Sequence, residues 1–216
     1  MTDLEFFFDP VCPWAWITSR WVVEVQSLRS YEVRWRFISL KLINATNAAE
    51  WYGDQYKRWH AMGHEALRVS AAIEGAFGNV RVGDFYTAIG TQTHNMKRRD
   101  DFAASSESFI SEALVAAKFS EAEVKSLIGA AFDESFDERI ASDTDLAFSR
   151  TGKDVGTPIL TFRPGRDDEG SFFGPVISRI PRGPEALTLW DAVEIVATTP
   201  GVVELKRTLR SAPIFD

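Results

Sequence analysis

The stretch Leu4-Glu5-Phe6-Phe7-Phe8-Asp9-Pro10-Val11-Cys12-Pro13-Trp14 decides how this chain is read. Leu4 to Phe8 form a short apolar run closed by Asp9-Pro10, the pattern of a buried strand ended by a turn. Cys12-Pro13 then opens a helix, since proline suits the first helical position, where its fixed φ fits and its missing N–H is not needed. Trp14, Ile17, Trp21, Val25 and Leu28 recur at spacings of three and four and make one apolar face. Thr18, Ser19, Arg20, Glu24 and Gln26 occupy the other side, so the helix should pack on a sheet and stop near Ser30. From Tyr31 to Leu40 the period becomes two. Val33, Trp35 and Phe37 alternate with Glu32, Arg34 and Arg36, as in a half-buried strand. The opening segment therefore reads β-α-β, with a right-handed crossover if the strands are parallel neighbours.

Beyond it the pattern is helical, at about 47–62, 64–77, 84–94, 105–118, 121–131 and 134–150. Ser120-Glu121-Ala122-Glu123 is a capping box. Strands return after Gly152. Ile159 to Phe162 and Ser171 to Val176 flank the polar loop 163–170, a hairpin signal. Gly183-Pro184 starts a further helix, with Ala186, Leu189, Trp190, Val193 and Val196 on one side and Pro200-Gly201 at its end. A short helix around Val202 to Leu209 is expected to close the chain.

A length of 216 residues suits one core carrying a sizeable insertion. The formal net charge of −7 lacks the basic footprint of a nucleic-acid binder. No apolar run approaches the roughly 20 residues that span a bilayer, and no polybasic patch suits an anionic membrane. Met1-Thr2-Asp3-Leu4-Glu5 is acidic and has none of the basic start of a secretory signal, so a cytoplasmic location is expected. The oligomeric state is not legible.

Cys12 is the one cysteine, which rules out an intramolecular disulfide. At a helix start, unpaired N–H groups and the positive end of the helix dipole favour an anion. A lowered thiol pKa and a reactive thiolate are therefore expected there, against the alternative of an inert buried cysteine. Val155-Gly156-Thr157-Pro158 precedes the strand from Ile159. Pro158 is either a tolerated strand-opening proline or a cis proline shaping an active-site floor, with the Thr157 backbone free to pair with substrate. His60 and His64 are four apart, but no neighbouring carboxylate completes a metal motif, so a solvated helix surface is expected and no metal site is assigned. His94, beside Asn95, either polarises a bound substrate or is structural. Trp14 could wall an apolar pocket beside Cys12, while Trp51, Tyr52, Tyr56 and Trp59 read as helix packing or as a cleft wall.

Phe8-Asp9-Pro10-Val11-Cys12-Pro13-Trp14-Ala15-Trp16, read with Gly156-Thr157-Pro158, resembles the DsbA-like branch of the thioredoxin superfamily. Thr87-Ala88-Ile89-Gly90 running to His94-Asn95, Phe172-Phe173-Gly174-Pro175-Val176 and Ile180-Pro181-Arg182-Gly183 are similar to an actinobacterial group that includes mycothiol-dependent nitroreductases. Glu204-Leu205-Lys206-Arg207-Thr208 and the terminal Phe215-Asp216 fit the same group. The resemblance implies an α/β thioredoxin-like core, residues 1–44 and 151–216, with a large all-helical insertion over 45–150. It implies Cys12 as the attacking thiol, Pro158 as a cis proline facing it, and the insertion helices and Trp14 bordering the substrate cleft. With Pro13, Thr157 and His94, these make the expected site.

A dithiol member of that branch would carry its second cysteine where this chain has Ala15. The chain is then a native monothiol enzyme resolved by an external thiol, or an engineered form that traps a mixed disulfide. The leading expectation is a thiol-dependent oxidoreductase that binds no cofactor and uses a low-molecular-weight thiol, by resemblance mycothiol, as co-substrate. The alternatives are a kappa-like transferase or isomerase, in which Cys12 holds a thiol rather than attacking, and a redox-inactive binding protein.

Overall fold

In a computed structural model, which describes residues 2–209 and 211–215, a four-stranded sheet is covered on both faces by helices. Met1 and Asp216, quoted above, lie outside the described residues. The strands are β1 (Leu4–Phe8), β2 (Val33–Phe37), β3 (Ile159–Phe162) and β4 (Gly170–Phe173), in the order β2-β1-β3-β4. β1 pairs parallel with β2 and antiparallel with β3, with Phe6 opposite Trp35 on one side and Leu160 on the other. β3 and β4 form an antiparallel hairpin.

The helices are α1 (Pro13–Leu28), α2 (Leu40–Ile43), α3 (Asp54–Phe77), α4 (Asn79–Gly90), α5 (Arg99–Ala104), α6 (Ser106–Ala116), α7 (Glu121–Leu127), α8 (Asp137–Thr151) and α9 (Gly183–Thr198). Alternation along the strands sends Phe6, Phe8, Trp35, Phe37, Leu160 and Phe162 to the face that meets α1, α4 and α9, where they are buried. Phe7, Ile38 and Ile159 point to the other face and close with Ala147 of α8. That second face also holds charge. Glu5, 4% exposed, accepts from Arg36 and from Arg150 at 2.6 Å. Arg36 donates to Asp143 at 2.9 Å, and Asp143 pairs with Arg139 at 2.6 Å. Burial alone would raise the Glu5 carboxyl, but Arg150 and Arg36 hold it below the usual carboxylate range. α8 is thus fastened to the sheet by buried ion pairs as well as by apolar packing.

Several boundaries differ from the sequence reading. The patterns at 47–62 and 64–77 merge into one helix, α3, which starts at Asp54 and passes through Gly63 unbroken. The helix read at 84–94 begins at Asn79 and gives way after Gly90 to a π turn, Thr91–Asn95. The strand read as 171–176 runs instead from Gly170 to Phe173, and Gly174 just beyond it turns the chain at φ +98°. No helix forms over 202–209. Val203, Leu205 and Leu209 face solvent there, and a two-turn helix without a packed face is unstable on its own.

Candidate active site

The turn between β1 and α1 is built around a buried carboxylate. Asp9 is fully buried and accepts from Val11 N–H at 3.1 Å and Leu40 N–H at 2.8 Å, while its carbonyl accepts from Cys12 N–H at 3.0 Å. No Lys, Arg or His forms an ion pair with it among the described residues, and burial raises its carboxyl to about 7 against the pull of the Leu40 and Val11 N–H groups. α3 presses on this turn at Gly63, where a Cβ would lie 2.5 Å from Asp9 Oδ1 and 2.9 Å from a Val11 methyl.

Cys12 is the N-cap of α1, and Pro13 is its first helical residue, half-buried like Trp14 beside it. The sulfur accepts from Ala15 N–H at 3.5 Å and donates to the Thr157 carbonyl at 3.4 Å. The Thr157 hydroxyl is tied to the Phe7 carbonyl at 3.1 Å, and the Thr157–Pro158 peptide is cis. Of the Thr157 backbone expected to be free for substrate, the carbonyl is engaged by the thiol. The lowered thiol pKa is corrected too. Cys12 is only 6% exposed, and burial pushes its thiol up to about 12, with the buried Asp9 charge adding to the rise. The Ala15 and Trp14 N–H groups and the Arg99 guanidinium pull the other way without overcoming burial. In this closed arrangement the sulfur is a protonated donor.

Arg99, at the start of α5, was not singled out by the sequence pattern. It donates to the Val11 carbonyl at 3.3 Å, lies 4.7 Å over the Trp59 ring and acts on the Cys12 charge. No carboxylate ion-pairs with it among the described residues. Trp59 ends an edge-to-face chain through Tyr56 to Trp51 in the turn before α3, so these aromatics lead from solvent to the cation beside Cys12. His94 is 2% exposed. Its Nε2–H donates to the Pro10 carbonyl at 2.9 Å, and its ring lies between those of Trp16 and Phe215. Burial lowers its pKa to about 3, so it stays neutral.

The model of the Rv2466c-like family, described by the mycothiol-dependent nitroreductase Rv2466c, matches residues 11–207. The chain belongs to that family. An uncharacterised protein of Mycobacterium tuberculosis (strain ATCC 25618 / H37Rv), Rv2286c, is 30% identical to it over 216 residues, which are 99% of this chain and 85% of the relative. The matched span runs from the residue before Cys12 through the π turn and Thr157-Pro158 to the segment after α9.

The other two histidines of this family member are not the solvated surface expected of them. His60 is 8% exposed and bonds the Tyr52 hydroxyl at 3.0 Å; His64 is 1% exposed, with Ser39 Oγ at 2.8 Å and Asp137 at 2.9 Å. Both lie on the face of α3 that packs inward, which a helix with few apolar residues in its first half disguised. Asp9 was legible only as a turn residue. The signal that could have marked it is its place in an apolar strand-to-helix junction, where any carboxyl must be buried.

Proposed function

We propose that this chain is a monothiol, thiol-dependent oxidoreductase on a thioredoxin-like core, residues 1–44 and 151–216, with the helices of 45–150 inserted between its halves. One observation carries the reading. The sole cysteine caps α1 with its sulfur against the backbone of Thr157, in a chain whose family is named for a mycothiol-dependent enzyme. Entry of a disulfide substrate displaces the Thr157 contact, and the thiol loses its proton. The Ala15 and Trp14 N–H groups and Arg99 then face the thiolate. That thiolate attacks one sulfur of the substrate disulfide. One S–S bond breaks, a mixed disulfide forms on Cys12, and the leaving thiolate takes up a proton. One equivalent of a low-molecular-weight thiol of the mycothiol type attacks the outer sulfur of the mixed disulfide, and Cys12 leaves as the thiol. The product is a disulfide between that thiol and the bound half of the substrate, so each turn exchanges one thiol for another across the substrate disulfide. Pro13 and Trp14 border the entry, Pro158 forms its floor, and neutral His94 orients the Trp16 wall and the Pro10 carbonyl.

The buried, protonated sulfur favours a second reading, a kappa-like transferase in which Cys12 donates a hydrogen bond to a bound thiol. Cys12→Ser separates the two, assayed with a mycothiol-type thiol and a mixed-disulfide substrate. The oxidoreductase reading expects turnover to vanish and intact mass to show the wild type, but not the variant, carrying one thiol adduct. Turnover that survives in Cys12→Ser would overturn it and leave the transferase.

A further inference from the structure

One buried polar atom near the middle of α1 has no partner among the described residues: Arg20 Nη2. Arg20 lies 4.2 Å over the Trp16 ring and 5.9 Å from that of Tyr86. Its Nε donates to Ser19 Oγ at 3.2 Å and its Nη1 to Thr87 Oγ1 at 3.0 Å. These hold the guanidinium plane in place, but both acceptors are neutral. No carboxylate ion-pairs with Arg20 among the described residues. Buried polar atoms are almost always satisfied, and a cation drawn out of water without a counter-charge is costly, so this arrangement lacks an acceptor.

The place for that acceptor adjoins it. Trp16, Arg20, Glu24, Asn95 and Arg182 contribute to a cavity of about 330 Å³ between α1, the π turn and the segment before α9. Its carboxylate is already used: Glu24 accepts from Arg182 at 3.1 Å and from Gly183 N–H at 2.9 Å. The two arginines against one glutamate leave the lining with an excess positive charge. Asn95 spends its carbonyl oxygen on the Trp16 indole N–H at 3.0 Å, and its amide NH₂ makes no hydrogen bond among the described residues.

We propose that this cavity binds the anionic group, a carboxylate or phosphate, of a small molecule. Arg20 supplies the fixed charge, Arg182 at the rim swings in from its exposed position, and the Asn95 amide adds a neutral donor. A guanidinium held flat presents its N–H groups in a fork that matches either oxyanion. The proposal stands on this lining and holds whatever Cys12 does.

The test is a titration of the full chain with inorganic phosphate and, separately, with succinate, at ionic strength held constant with sodium chloride. Tryptophan fluorescence and the amide resonances of Thr87, Thr91 and Asn95 are read. The expected result is a saturable response to at least one anion, with the responding anion identifying phosphate or carboxylate as the ligand chemistry. Arg20→Gln should weaken it by about tenfold or more, as loss of a charge-assisted contact implies. Arg98→Gln, at a half-buried arginine outside the cavity lining and already paired with Asp101 and Glu112, should leave it unchanged. Because Arg20→Gln also removes a ring contact, Arg20→Lys is measured beside it. Retained charge without the fork should give intermediate binding in a chain of unchanged circular dichroism. No saturable response up to about 50 mM, far above the millimolar range of a weak single site, would overturn the proposal. So would equal responses in wild type and Arg20→Gln.

Discussion

Alkylation of Cys12 across a pH series measures how far burial outweighs the helix start. Only the thiolate reacts, so the rate follows the ionised fraction. With the thiol pushed up to about 12, that fraction at pH 8 is about 10⁻⁴, whereas a free thiol near 8.5 is about one quarter ionised. The native chain should therefore react with iodoacetamide roughly three orders of magnitude more slowly at pH 8 than the same chain unfolded in urea. Quenched samples read by intact mass give both rates, since there is one site to modify. The native rate should keep rising beyond pH 10, where the unfolded rate has levelled. Asp9→Asn removes a neighbouring charge that raises the thiol and should shift the native profile to lower pH; Arg99→Gln removes a cation that lowers it and should do the reverse. A native midpoint below 8.5 would refute the reasoning. Helix N–H groups and Arg99 would then dominate, and the closed, protonated resting site would be wrong.

Three other outcomes follow from the same contacts. Asp9 binds its proton more tightly folded than unfolded, so its contribution to stability is full below about 4 and is lost as pH rises to about 7. His60 and His94, lowered to about 4 and about 3, act oppositely by losing stability as pH falls below 6.5. The difference in urea midpoint between wild type and Asp9→Asn isolates the carboxyl, and it should change across pH 4–7 and be flat below it. Gly63→Ala forces a methyl against Asp9 and Val11 and should cost about 1–3 kcal/mol, read as a lower Tm, with faster Cys12 alkylation as the turn opens. Arg36→Met leaves Glu5 with Arg150 and Asp143 with Arg139 alone, and should cost about 3–5 kcal/mol by urea unfolding.

Periodicity carried the sheet and the helices that cover it, because Phe6, Phe8, Trp35 and Phe37 repeat in register with the faces they occupy. It misjudged places where a local signal depends on a distant partner. Gly63 reads as a break, yet it is the residue that lets α3 approach the Asp9 turn. Val202 to Leu209 has the apolar content of a helix and nothing beneath it. At the candidate site, the positions of Cys12 and Pro13 at the start of α1 and of Pro158 before β3 were legible, because a helix start and a Thr-Pro strand entry leave marks in sequence. Asp9 and Arg99 were not, since their importance lies in burial and in the absence of an opposite charge, neither of which a linear pattern records. The pKa of Cys12 was misjudged for the same reason: position on a helix can be read from spacing, but depth cannot.

The central strand β1 has one neighbour that follows it closely and another that does not arrive until Ile159. During synthesis, therefore, Leu4 to Phe8 emerge with β2 on one edge and an open row of backbone donors and acceptors on the other, while residues 38–158 are still being made. Three phenylalanines beside an unpaired edge invite pairing with another chain. The helices of 45–150 fill that interval, and those that pack on the first two strands shield the half-built sheet. Cys12 waits as long for its acceptor, because the carbonyl that receives its thiol belongs to Thr157. The thiol gains that acceptor only when the last strands dock, so a chain stalled before that point carries a thiol without its Thr157 contact.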